Sequence, residues 1–311
     1  MYTAGLIKGL QRRGIPTRLI TCNTTAADSA AESADVPHLA LNGQSSLSQL
    51  DDILVFVYRP PQVNTKHPAY FVLATPAKDP RSIFTSGVDM PRTIVMSKFK
   101  ARYWQSALGL SARPFVVYPF VDEVFSATNR PAYEGPPRVL FAGRAVREKG
   151  IYTLFDSLHL PPLRDESYSL TCVKGRVGRG DGAIINVLYD AHPRVNAVEA
   201  HQDRESMARL YAKHDILVVP TSSINWVESF GMVSTEAQHS GCRVVASNDG
   251  GLPETDCGGL LTVPPDNPLA LAEGLVQAMA LGPLNEIQRR QAAQCYTVDQ
   301  SVDELLHAIT M

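Results

Sequence analysis

Short continuous apolar runs alternate with amphipathic helical stretches along this chain, and the alternation occurs twice, on either side of a proline-rich segment at 119–137. A continuous run of Val, Ile, Leu and Phe suits a strand buried on both faces. Such strands, separated by helices, assemble into a parallel sheet. In the first half the runs are Thr17–Cys22, ILVFVY at 53–58, Tyr70–Leu73, Thr93–Met96 and Phe115–Val117, with a helix over Lys98–Leu108. In the second half strands are expected at Val139–Phe141, Ser169–Val173, Val195–Val198, Ile216–Val219 and Val244–Ser247. The helices between and after them are expected at Ile151–Leu158, Asp181–Tyr189, Arg204–Lys213, Phe230–Ser240 and Pro268–Leu281. A last amphipathic helix covers Val298–Ile309. The fold class is therefore α/β, with two Rossmann-like domains facing a cleft. The expected boundaries are 1–118, 119–296 and a C-terminal helix, 297–311, crossing back to the first domain.

The first domain is expected to be incomplete. Residues 3–13 read as an amphipathic helix closed by Gly14. A Rossmann domain opens instead with a strand and a glycine-rich turn ahead of its first helix, so the pattern implies a domain without its first strand. Residues 23–50 are polar and Ala/Ser-rich, and read as loop with short helical pieces.

Composition narrows the partners. Lys plus Arg total 29 against 31 Asp plus Glu, a net charge of −2, which provides no basic field for nucleic acid. No apolar run approaches the ~20 residues needed to span a bilayer. The five cysteines are scattered without a Cys-x-x-Cys pair, which argues against zinc and against a disulfide framework. Reduced thiols imply a cytoplasmic protein, free or peripheral to a membrane.

Chemistry concentrates in two segments of the second half. In 218–255 a strand ends at Pro220, a polar loop follows, and a helix starts near Phe230 with Ser229 as the expected N-cap. The amides of Phe230, Gly231 and Met232 are then available to a phosphate or a sugar. Gly231 allows a ligand close to the backbone. Glu228 and Glu236 can each accept hydrogen bonds from a hydroxyl pair, the kind of group a sugar and a ribose both offer. Complementing the helix dipole accounts for two such carboxylates equally well when they are taken alone. The Gly250-Gly251-Leu-Pro-Glu254 turn after the next strand weighs toward a ligand, because strand ends are where parallel sheets bind. In VLFAGRAVREKG, 139–150, Gly143 makes the turn after a strand. Arg144 and Lys149 stand where cations compensate a departing diphosphate.

Together, FAGRAVREKG, ESFGMVSTE and GGLPE resemble glycosyltransferase family 4, the retaining GT-B enzymes, with specific correspondence over about 139–255. Glu228 and Glu236 match that family's Glu-x7-Glu motif. VVYPFVDEVF at 116–125 resembles the entry to the second domain, with Pro119-Phe120 in place of the usual Asn-Gly. The resemblance implies a glycosyltransferase that moves a sugar from a nucleoside-diphosphate sugar to a hydroxyl acceptor, small-molecule or lipid-linked, with retention of configuration. It implies that Arg144, Lys149 and Glu228 are catalytic, with Glu228 on the donor sugar and the two cations on the diphosphate. Glu236 would hold the ribose. Gly143, Phe230, Gly231 and Met232 would line the phosphate cradle, and Glu199 with His201 would lie at the nucleobase. The departing phosphate would help deprotonate the acceptor, so neither a protein nucleophile, a metal nor a further cofactor is implied. A non-catalytic sugar-nucleotide-binding subunit remains an alternative, as do a sugar phosphorylase and a nucleotide-sugar epimerase; the ESFGMVSTE form favours the transferase.

Weaker signals surround these. His38 and His67 are candidates for a first-domain histidine, although lone histidines are more often structural. Tyr58-Arg59-Pro60 follows an apolar run and could reach an acceptor; a plain strand-ending turn is the favoured reading. The basic, glycine-rich 174–182 lacks the order of a P-loop. It reads as a mobile loop, with Arg176 and Arg179 able to face phosphates. Trp226 either walls a sugar pocket or packs.

Overall fold

A computed structural model describes residues 2–22, 35–57, 59–73, 83–174, 182–200, 203–224 and 227–311. Within them the chain divides into two compact units, Met1–Phe120 with Tyr296–Met311, and Val121–Cys295.

The first unit opens with helix α1 (Tyr2–Arg12). Strands β1 (Leu19–Cys22) and β2 (His38–Leu41) pair in parallel. A separate four-stranded parallel sheet has the order β3 (Val55–Val57), β4 (Tyr70–Val72), β5 (Arg92–Val95), β6 (Phe115–Val116). The ILVFVY run is not the buried strand its composition suggests. β3 ends its sheet, pairing with β4 alone among the described residues, and Ile53 and Val55 are 52% and 37% exposed. The segment 35–50, expected as loop, supplies β2. Between β5 and β6 runs α2 (Lys98–Leu108), capped by Ser97, whose side chain accepts from the Lys100 amide, and closed by Gly109 in the left-handed conformation. It seals one face of the sheet with the fully buried Trp104.

The second unit is built on a six-stranded parallel sheet. Its strands are β7 (Arg138–Phe141), β8 (Ser169–Lys174), β9 (Val195–Glu199), β10 (Ile216–Val219), β11 (Arg243–Ser247) and β12 (Leu260–Val263). They lie in the order β12-β11-β10-β7-β8-β9. The chain therefore builds outward from β7 in one direction and then, from β10, in the other. The strand order reverses between β7 and β10, and ligands of doubly wound sheets bind beyond the carboxyl ends of the strands at that point. β10 and β11 are buried at every residue, as continuous apolar runs require.

The core on one face joins Val139, Phe141, Leu170, Ile216 and Val245 to Leu154 and Leu158 of α4 (Ile151–Leu158) and to Leu271 and Leu275 of a helix at Pro268–Leu281. The proline-rich 119–137 is not an open linker. It carries a short helix, α3 (Glu123–Ala127), capped by Asp122, whose Phe125 is buried 5.9 Å from the Tyr211 ring. The aromatic contact fixes this stretch to the second unit. The last helix, Val298–Thr310, packs in the first unit, where Val302, Leu305 and Ala308 meet Leu10, Tyr70, Ile94 and Val117. Among the described residues, no helix is long and apolar enough to cross a membrane.

Candidate functional site

The loops after β7 and β10 meet in the second unit, and the contact depends on glycine. After β7 the chain turns at Gly143, makes a single helical turn over Arg147–Lys149, and enters α4 through Gly150. Gly150 has φ +72°, and a Cβ there would stand 1.7 Å from the Pro220 carbonyl oxygen, so no larger residue fits. The Ser222 amide donates to the Glu148 carbonyl at 3.1 Å, tying the two loops a second time. Ala145 and Val146 are buried and hold the loop to the sheet, whereas Arg144 is exposed, without a partner among the described residues.

Across this junction Lys149 Nζ donates to Glu228 Oε2. The side chains are 19% and 18% exposed, so the pair is largely withdrawn from water. The sequence motifs placed these residues on a diphosphate and on a sugar respectively; in the structure they hold each other. Gly250 and Gly251 support the Glu228 loop from below. The Gly251 amide donates to the Glu228 carbonyl at 2.9 Å. A Cβ on Gly250 or Gly251 would come within 2.5 Å of Glu228 O or 2.3 Å of Ser229 O.

The helix that follows this loop spans Met232–His239 and starts later than its sequence suggests. Its N-cap is Gly231, not Ser229, because Gly231 takes the left-handed conformation (φ 104°) and cannot be helical. The Met232 amide remains at the open helix end, but Phe230 lies ahead of it, with its ring buried in the core. Gly231 is also needed for packing, since a Cβ would meet Leu252 at 2.6 Å.

Glu236 has a different environment from Glu228. Its carboxyl lies against Tyr211 and near Arg204, both of the helix Arg204–Ala212, and near Asp122. Burial pushes its pKa up to about 7; Asp122 adds to the rise, and Arg204 and Tyr211 oppose it. Arg204 is itself paired with Asp122. Glu199 closes β9 with a largely exposed side chain, 3.7 Å from Lys174 Nζ. His201, Tyr58, Arg176, Arg179 and Trp226 lie outside the described residues. His38 Nε2 pairs with Thr21 Oγ1 at 2.8 Å, and His67 with Asp51 at 3.1 Å; Arg59 is exposed.

Two polar atoms that the sequence did not single out belong here. Thr221 Oγ1 follows β10 and Asp249 Oδ2 follows β11, and both atoms are buried without a hydrogen-bond partner among the described residues. An orphaned buried polar atom costs about 1–3 kcal/mol, so its place at the carboxyl ends of these strands suits a hydroxylated or amide-bearing ligand. Among the described residues, no group of three or more His, Cys, Asp or Glu side chains is arranged to hold a metal ion.

The comparisons with known proteins bear on this same unit. Residues 136–280 match the family model described as Glycosyl transferases group 1. The match covers the whole strand series from β7 to β12 together with the paired loops. A D-inositol 3-phosphate glycosyltransferase of Mycobacterium sp. (strain KMS) is 31% identical over 282 residues, covering 80% of this chain and 60% of the relative. The chain thus spans about three-fifths of the length of that relative. Among solved structures, a glycosyltransferase from Rickettsia africae ESF-5 superimposes with a TM-score of 0.74 over 98% of this chain and 92% of its own, at 17% identity. The Anabaena protein Alr3699/HepE in complex with UDP and glucose gives a TM-score of 0.64 at 15% identity over 99% and 95% of the two chains. At these identities the structural likeness establishes the α/β, GT-B-like fold.

Proposed function

We propose that this protein is a retaining glycosyltransferase and that its second unit binds the nucleoside-diphosphate sugar. The observation that carries the reading is the Lys149–Glu228 pair, held by glycine-dependent loops at the point where the strand order reverses. A cation and a carboxylate held together are what a diphosphate and a sugar hydroxyl would exchange for on binding. Lys149 turns to the diphosphate and stabilises the leaving group, and Glu228 is released to accept from the sugar. Arg144, exposed and without a partner among the described residues, supplies the second cation. Glu236 takes the ribose hydroxyls once it is ionised. The departing phosphate accepts the acceptor's proton on the same face, so the sugar keeps its configuration. The group 1 domain match and the UDP and glucose bound by the Anabaena protein support this donor class. The name of the mycobacterial relative makes a phosphorylated cyclitol the first acceptor to try.

The test is a nucleotide-release assay over UDP-, GDP-, ADP- and TDP-sugars, run beside thermal denaturation with the same panel. A ligand at about 100 times its Kd raises stability by ~2.7 kcal/mol. One sugar nucleotide that both stabilises and is cleaved, faster with acceptor, is the expected result. Absence of stabilisation by every member of the panel would overturn the donor-site assignment.

A further inference from the structure

A cavity lies within the same unit, at the ends of its strands opposite the Lys149–Glu228 loops. It has a volume of about 300 Å3, and Arg130, Arg138, Arg289, Tyr133, Asp215 and Glu286 contribute to its wall. Arg138 opens β7 and Asp215 immediately precedes β10, whereas Lys149 and Glu228 come after the far ends of those strands. The proline-rich 128–138 folds over this end as a rim.

The charges in the cavity do not balance. Asp215 is the carboxylate shared by two arginines: Arg130 Nη2 donates to its Oδ1, while Arg138 donates through Nε at 3.2 Å and Nη2 at 3.0 Å. The Glu286 carboxylate is engaged by Arg290 at 3.0 Å. Arg289 is held by neutral carbonyls, those of His239 at 3.1 Å, Ser126 at 2.8 Å and Thr128 at 2.5 Å, and no carboxylate among the described residues hydrogen-bonds to its guanidinium. Its stem and that of Arg130 converge on Gly241, where a Cβ would have Arg289 Cδ at 3.4 Å and Arg130 Cδ at 3.5 Å. Burial lowers the pKa of Arg289, and neighbouring Arg130 lowers it further against the pull of Glu286. Arg130 Nε, Arg138 Nη1 and Arg289 Nη1 have no hydrogen-bond partner among the described residues. The Arg138 guanidinium carbon sits over the Tyr133 ring, 3.8 Å from its centroid, a cation–π contact that helps to hold it.

We infer that this cavity binds a phosphate dianion, free or carried on a small sugar, at a site separate from the donor loops. Three guanidiniums with spare donors and one shared carboxylate match the charge and the acceptor-rich geometry of phosphate. The volume is at the small end of ligand pockets and leaves room for a compact polyol beside the phosphate.

Isothermal titration calorimetry at constant ionic strength tests this, with inorganic phosphate and a hexose 6-phosphate as separate probes. Saturable binding is expected for the wild type, unchanged in Lys149→Ala. Ala132→Glu, on the exposed rim, should weaken it at least tenfold, and Glu286→Gln should tighten it about threefold by removing an opposing charge. Tighter binding of the hexose phosphate identifies a phosphomonoester ligand; equal binding identifies free phosphate. The inference fails if neither probe binds saturably, or if Lys149→Ala abolishes binding and Ala132→Glu does not. Should Ala132→Glu not fold, an unchanged affinity in Glu286→Gln overturns the inference.

Discussion

Lys149 Nζ donates to Glu228 Oε2 across 79 residues of sequence, and the contact is the point where the loops after β7 and β10 meet. It joins a cation and a carboxylate whose proposed ligands are different parts of one donor molecule. The pair holds both side chains largely out of water.

Lys149→Ala should therefore lower turnover by about 10²–10³-fold, the loss seen when one group that stabilises a developing charge is removed. It also leaves Glu228 without its partner. A double-mutant cycle with Glu228→Ala should show a stability coupling of about 1–3 kcal/mol, read from denaturant unfolding. Additive stabilities would show that the pair contributes nothing to the fold.

Glu236 should make the unliganded protein less stable as pH rises. Its carboxyl has a pKa of about 7 when folded, against an ordinary glutamate value of 4.5. The folded state thus retains a proton that the unfolded chain releases between those values. Stability falls as pH rises through that window, by about 3 kcal/mol in total. Glu236→Gln should remove the slope, raise stability at pH 8 relative to wild type, and weaken nucleotide binding. Parallel pH–stability curves for the two proteins would contradict this.

Gly150→Ala should be strongly disruptive, because its Cβ would stand 1.7 Å from Pro220 O on a left-handed backbone. A loss of more than about 3 kcal/mol is expected, from steric overlap and conformational strain together. Gly251→Ala, 2.3 Å from Ser229 O, should cost less stability and more activity, since it lifts the loop that carries Glu228. Melting temperature and nucleotide release measured on both variants separate the two effects.

Asp215→Asn should destabilise by about 3–5 kcal/mol, because Arg130 and Arg138 lose their shared carboxylate. Its pKa is lowered by its hydrogen bonds to Arg138 and the charges of both arginines, which outweigh an opposing burial effect. Its contribution is present above the ordinary aspartate value and is lost as pH falls through the lowered one. The variant should accordingly show a shallower acid-unfolding curve than wild type; an unchanged curve would count against it.

Much of the fold was legible in the sequence, because a buried parallel strand and an amphipathic helix each leave a local periodic signature. Helix Lys98–Leu108 and strand Ile216–Val219 could be bounded to the residue. Where the sequence misled, the deciding partner was distant. ILVFVY looks buried, but whether a strand lies inside a sheet or at its end depends on what pairs with it. The 119–137 segment looks like a linker because its prolines are local, while the Phe125–Tyr211 contact that fixes it is not. Ser229 looks like a cap, but Leu252 packs where a Gly231 Cβ would be, and Gly231 takes the cap with a positive φ.

The sequence by itself determined the parallel α/β architecture, the two halves, and which loops carry cations, carboxylates and paired glycines. The tertiary structure alone decided that Lys149 meets Glu228, that Glu236 packs beside Tyr211 with a raised pKa, and that three arginines line one cavity with Asp215 at the other end of the sheet. Periodicity is a property of neighbours in the chain, whereas charge pairing, desolvation and steric exclusion depend on distances that only the folded chain sets.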